Sequence, residues 1–122
     1  MKDDRVYLEH IRECLDWIAR FTTGGREEFL SDRKTQSAVL RELQVMAEST
    51  QRLSDSLKEQ HPEVSWQGIA GFRNVLVHDY LGIKPARVWQ IIENDLPVLR
   101  EAIESMLGEA NSYDKNGEAN RE

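Results

Sequence analysis

Apolar residues recur at spacings of three and four along most of this chain, and that period confines it to helices. From Asp3 to about Phe21 they are Tyr7, Leu8, Ile11, Cys14, Leu15, Ile18 and Phe21, one face of a helix turning every 3.6 residues. Asp3 or Asp4 can open this helix by accepting backbone N–H bonds, and Gly24-Gly25 stops it. Glu27 to Leu30 suits one short helical turn. Ser31 or Asp32 then caps a second long helix predicted to reach about Glu59. Its stripe of Val39, Leu43, Met46, Thr50, Leu53 and Leu57 has heptad-like spacing and predicts packing along another helix. Pro62 marks the break.

A third helix is expected from Ser65 through Trp66, Ile69, Phe72, Val75 and Leu76, with Gly82 closing the region. Gly68 and Gly71 are poor helix formers, so their presence predicts close approach of another backbone. Pro85 fits the first turn of a fourth helix, where its missing N–H costs nothing. That helix carries Val88, Trp89, Ile92, Leu96, Leu99, Ile103 and Met106, and Pro97 should kink or split it near Asn94-Asp95. After Gly108 the period is lost, and Glu109 to Glu122 is expected to be disordered. No strand alternation competes. The expected fold is an all-α antiparallel bundle of four to five helices, one domain over residues 1–108 followed by a polar tail over 109–122.

The length of 122 residues suits one domain, small enough that association with a second copy would help bury its apolar surface. The single cysteine, Cys14, excludes an intrachain disulfide and sits on an apolar face, where burial is its expected role. No apolar run approaches the ~20 residues needed to span a bilayer. The charged start, Met1 to Arg5, precedes no signal-peptide core, so the cytoplasm is the expected compartment. Of the net charge of −6, four acids against two bases place −2 in the tail and leave −4 on the body. Such a body is no general nucleic-acid binder, so any RNA contact must come from a local patch or from two patches joined in a dimer.

Chemistry concentrates in Arg73-Asn74-Val75-Leu76-Val77-His78-Asp79-Tyr80. Arginine offers a permanent planar fork for phosphate, and histidine moves protons near neutral pH. The pair suits RNA cleavage without a metal. The 2′-hydroxyl attacks the adjacent phosphorus, His78 takes or returns a proton, and Arg73 stabilises charge on the phosphoryl oxygens. Asn74 can orient His78 or bind a phosphate oxygen, and Tyr80 can stack on a base. The products would be a 2′,3′-cyclic phosphate and a 5′-hydroxyl, and DNA would resist. Geometry sets a condition. Asn74 and His78 share a helix face, but Arg73 and His78 stand five apart, about 140° around a regular helix. They meet only if the helix frays or tightens, if the arginine swings across, or if two copies pair about a two-fold axis. The plainer alternatives are a helix-terminal histidine at His78, ordinary packing for Tyr80, and solvated His10 and His61 without metal-ligand spacing. No zinc, phosphate-loop or serine-nucleophile pattern is present, and no cofactor is expected.

With Asp4…Tyr7-Leu8…Ile11, Phe29, Pro62-Glu63-Val64-Ser65-Trp66…Ile69-Ala70-Gly71-Phe72-Arg73-Asn74, His78-Asp79-Tyr80 and Val88-Trp89…Ile92…Leu96-Pro97, the chain resembles the HepT-like branch of the HEPN superfamily over about residues 3 to 107. The resemblance implies a ribonuclease toxin of a toxin–antitoxin pair. It maps the catalytic arginine and histidine onto Arg73 and His78, and the polar residue after the arginine onto Asn74. It implies a homodimer that brings two motifs into one cleft. It further implies that an MntA-like nucleotidyltransferase antitoxin transfers AMP to Tyr80 and silences the toxin. The chain departs from many relatives in one place, carrying Met46-Ala47-Glu48-Ser49 where a Gly-Glu-Ala stretch is common. Two other readings remain open: a non-catalytic helical module that binds a nucleotidyltransferase, and a structural dimer using Trp17, Trp66 and Trp89 as core or interface.

Overall fold

The computed structural model describes residues 3–121, with side chains described for residues 3–108. Every described element is helical. The helices are α1 (Asp4–Phe21), α2 (Gly25–Ser31), α3 (Arg33–Gln51), α4 (Asp55–Glu59), α5 (Trp66–His78), α6 (Pro85–Gln90) and α7 (Leu96–Arg121). A short 3-10 turn spans Tyr80–Gly82, and a wide π-type turn over Ile91–Asp95 joins α6 to α7. The stretch expected to be disordered, residues 109–122, lies outside the described side chains.

The core forms where α1 packs on α3 and α7, and α3 also packs on α5. α1 delivers Tyr7, Leu8, Ile11, Cys14, Leu15 and Ile18, the expected face less Phe21, which is half-buried. They meet Val39, Leu43 and Met46 from α3, and Leu99, Ile103 and Met106 from α7. Cys14 is buried, and burial pushes its thiol pKa up to about 12, which makes it an inert packing group. Two ion pairs staple α1 to α7 at the surface, Arg100–Asp16 at 3.0 Å and Arg12–Glu104 at 3.6 Å. Exposed pairs of this kind contribute about 1 kcal/mol or less.

The caps follow side-chain chemistry. Asp3 accepts from the Arg5 N–H and opens α1; Asp32 accepts from the Lys34 N–H and opens α3. α1 ends a little before the glycines. The Thr22 N–H and hydroxyl close onto the Ile18 carbonyl, and Gly25 then takes φ +86°, a left-handed conformation that favours glycine, to start α2. Gln36 seals the far end of α2 by donating to the Phe29 and Leu30 carbonyls.

The expected second long helix is two helices, and this is a correction. α3 ends at Gln51 and α4 begins at Asp55. The N–H and hydroxyl of Ser54 both donate to the Asp4 carboxylate, at 2.9 and 2.7 Å. The Ser54 oxygen also caps α4 at the Leu57 N–H. A long-range polar tie to the start of α1 thus breaks a stripe that looks continuous in sequence, while Leu53 stays buried across the break.

Pro97 acts as expected. It has no N–H for the carbonyl four residues back, and the π-type turn immediately before α7 absorbs the fault. Pro85 stands in the first turn of α6. α2 lies on α6, where Phe29 packs against Trp89 with ring centroids 5.5 Å apart.

Candidate functional site

The segment before α5 fixes where that helix begins. His61 was expected to be solvated; it is buried, with Nδ1 2.8 Å from Glu63 Oε1. The reason lies five residues further on. The Trp66 indole N–H donates to the Lys58 and His61 carbonyls, both at 3.0 Å, and folds the loop onto itself. The hydrogen bond from His61 holds the Glu63 carboxyl below its ordinary value. Ser65 caps α5 at the Gly68 N–H. A Cβ at Gly68 would stand 2.6 Å from that cap hydroxyl, so this glycine serves the cap. At Gly71 a Cβ would meet nothing within 4 Å. The close backbone approach expected at these glycines is therefore absent among the described residues.

α5 stays regular through His78, and the Asp79 N–H closes onto the Val75 carbonyl at 2.8 Å. Tightening starts only afterwards, at Tyr80. Within one chain Arg73 and His78 therefore remain far apart around the helix, and no hydrogen bond joins them. Arg73 Nη1 reaches Asn74 Oδ1 at 3.4 Å. Asn74 and His78 lie on the outer face with Gly71 and Val75, all exposed. Tyr80 follows at the start of the 3-10 turn, 39% exposed.

Arg73 is half-buried and pairs with no carboxylate among the described residues. Its Nε is the one buried side-chain nitrogen or oxygen without a hydrogen-bond partner there. An orphaned donor of this kind costs ~1–3 kcal/mol, and such groups cluster where function holds them. The surroundings favour an anion as well. Between Val64 and Ile92 the bases Arg73, Lys84 and Arg87 face one acid, Asp79, a local balance of +2 in an otherwise acidic chain. The ion pairs of the described residues lie outside this stretch.

Two residues beyond the motif shape its presentation. A Cβ on Gly82 would stand 2.6 Å from both oxygens of the Asp79 carboxylate. Gly82 thus leaves room for Asp79 to tuck over the 3-10 turn that carries Tyr80. Gly82 looked like a simple terminator in sequence, and the only signal of this contact was the Asp–x–x–Gly spacing. Among the described residues no three His, Cys, Asp or Glu side chains group as metal ligands, and no helix is long and apolar enough to cross a membrane.

An all-helical body with an Arg–four-residue–His motif on a half-covered helix defines the class, and comparison places it. Residues 11–106 match the family described as ribonuclease HepT-like, and the chain belongs to that family. It is 36% identical over 116 residues to a Methanocaldococcus jannaschii protein whose name carries the word RNase, covering 94% of this chain and 96% of that one. It is 36% identical over 106 residues to a Thermococcus cleftensis protein whose name includes ribonuclease HepT, covering 86% and 96%. A protein of Caldanaerobacter subterraneus subsp. tengcongensis, also named as an RNase, is 34% identical over 108 residues, covering 88% and 96%. No solved structure matches the chain significantly.

Proposed function

We propose that this chain is a metal-independent endoribonuclease, the toxin of a toxin–antitoxin pair. The orphaned Nε of Arg73, on a guanidinium that no carboxylate among the described residues pairs with, carries the reading, because it sits on the arginine the motif singles out. Arg73 stabilises the phosphoryl oxygens, His78 transfers the proton, and Asn74 and Tyr80 hold the RNA. Two copies supply the missing geometry. The open outer face of α5, with empty space at Gly71 and Val75 41% exposed, faces a second α5 and brings both motifs into one cleft. A nucleotidyltransferase antitoxin silences the site by transferring AMP from ATP to the hydroxyl of the exposed Tyr80, with pyrophosphate leaving. The added phosphate then repels RNA beside the cleft.

The test is incubation of protein free of AMP by intact mass with total RNA and tRNA in chelator, beside Arg73→Ala and His78→Ala. Cleavage by the parent alone, leaving cyclic-phosphate ends, supports the proposal. Undiminished cleavage by both variants overturns the site assignment. A second reading, a non-catalytic module that binds a nucleotidyltransferase, is favoured by the −6 net charge. It requires intact RNA at high concentrations of unmodified protein.

A further inference from the structure

Two hollows lie side by side along α7 and share Glu63 and Val98 in their walls. The larger, about 350 Å³, opens between α3, the start of α5 and the start of α7. The smaller, about 250 Å³, continues past Glu101 and Ala102 to Ser105. From Asp95 to Ser105 the groove follows ~15 Å of helix at 1.5 Å per residue.

Its lining is mostly apolar, with Leu43, Met46, Ile69, Phe72 and Leu99 in the larger hollow. Ile69 and Phe72 are only half-buried, and Val98, between the hollows, is 40% exposed. The charges in the lining are one-sided. Glu63, Asp95 and Glu101 are acidic, while Arg87 is the lone arginine or lysine. Glu63 is held by His61, but Asp95 and Glu101 have no hydrogen-bonded or ion-paired partner among the described residues.

We infer that this groove receives an amphipathic helix of a protein partner, with an apolar stripe seated between α5 and α7 and lysines or arginines against Asp95 and Glu101. An apolar trough flanked by unpaired carboxylates is complementary to that chemistry. RNA is disfavoured, since the same carboxylates repel phosphate. The docking surface lies on α5 beside Phe72, the neighbour of Arg73, so a bound partner sits within one residue of the proposed catalytic arginine. The inference does not depend on whether the chain cleaves RNA, because its readout is binding.

The experiment titrates the full chain with two fluorescent helical peptides of ~14 residues, ~21 Å long. Both carry one leucine stripe, flanked in one by lysine and in the other by glutamate. Anisotropy at ~0.15 M salt reads the binding. The lysine peptide is expected to bind at least about tenfold more tightly, a difference of 1.4 kcal/mol. Asp95→Lys/Glu101→Lys should remove that preference. Glu27→Lys/Asp55→Lys makes the same change in net charge on side chains that are 92% and 96% exposed outside the groove, and it should leave the preference in place. No binding of the lysine peptide, equal binding of both peptides, or equal loss from the remote pair overturns the inference. Sedimentation of the groove variant is the remaining arm. Conversion of a dimer to monomer by Asp95→Lys/Glu101→Lys would assign the groove to a second copy and also overturn it.

Discussion

Arg73 illustrates how a side chain can be placed at a cost to stability. Its Nε is buried without an acceptor, and its charge has no carboxylate partner among the described residues. Folding therefore bears ~1–3 kcal/mol that a bound phosphate would relieve. Arg73→Met keeps the packed stem and removes the orphan. It is expected to hold or raise the thermal midpoint while lowering RNA cleavage by about a hundredfold or more. Calorimetry and a cleavage assay on one sample check both halves, and a clear drop in midpoint would count against the orphan's cost.

Glu63 makes a pH prediction at the same scale. Its hydrogen bond from His61 lowers its pKa from the ordinary 4.5. A depressed folded value means the contribution is present above 4.5 and is lost as pH falls through the lower folded value. Urea midpoints of the parent should therefore fall as pH drops from 4.5 through that lower value. Glu63→Gln should flatten that part of the profile, and parallel profiles for the two proteins would contradict the pairing. Arg73 and His78 were legible in the sequence as residue types in a pattern. The His61–Glu63 pair was not, because it exists only once the Trp66 indole has closed the loop.

At the level of elements, local chemistry accounts for where helices start and long-range chemistry for where one of them stops. Asp3, Ser65 and Pro85 open α1, α5 and α6 where the sequence indicated. The end of α3 answers to Asp4, fifty positions away from Ser54. The turn after α5 is the element that presents Tyr80, and Gly82 gives it room. Gly82→Ala should push the exposed Asp79 carboxylate off the turn, destabilise the protein by about 1 kcal/mol or less and impair the proposed AMP transfer to Tyr80. Adding Asp79→Ala should recover much of the loss, a non-additivity expected of groups in contact. Chemical denaturation of the four proteins in that cycle checks it, and strictly additive effects would show that the two residues do not meet.

For the whole molecule, α5 is unusual among the longer helices in burying only Leu76, while Val75, on the outer face with Gly71, Asn74 and His78, is large, apolar and exposed. An open face of that kind suits a second copy. Sedimentation should therefore report twice the 14.1 kDa chain mass, and Val75→Asp should give a folded monomer with cleavage reduced about a hundredfold. A monomeric parent that cleaves RNA would remove the shared cleft from the mechanism.

By itself the sequence determined the all-helical class, most of the faces that form the core, the kink before Pro97 and the family, since periodicity, proline geometry and motif order are local properties written residue by residue. Only the tertiary structure decided that α3 and α4 are separate, that His61 is buried, and that Arg73 keeps an orphaned donor while His78 points elsewhere around a regular helix. The first depends on Asp4 and Ser54, fifty positions apart, meeting in space, and the others on how the loop before α5 closes and how far α5 stays regular; the spacing of residues along the chain does not encode such outcomes.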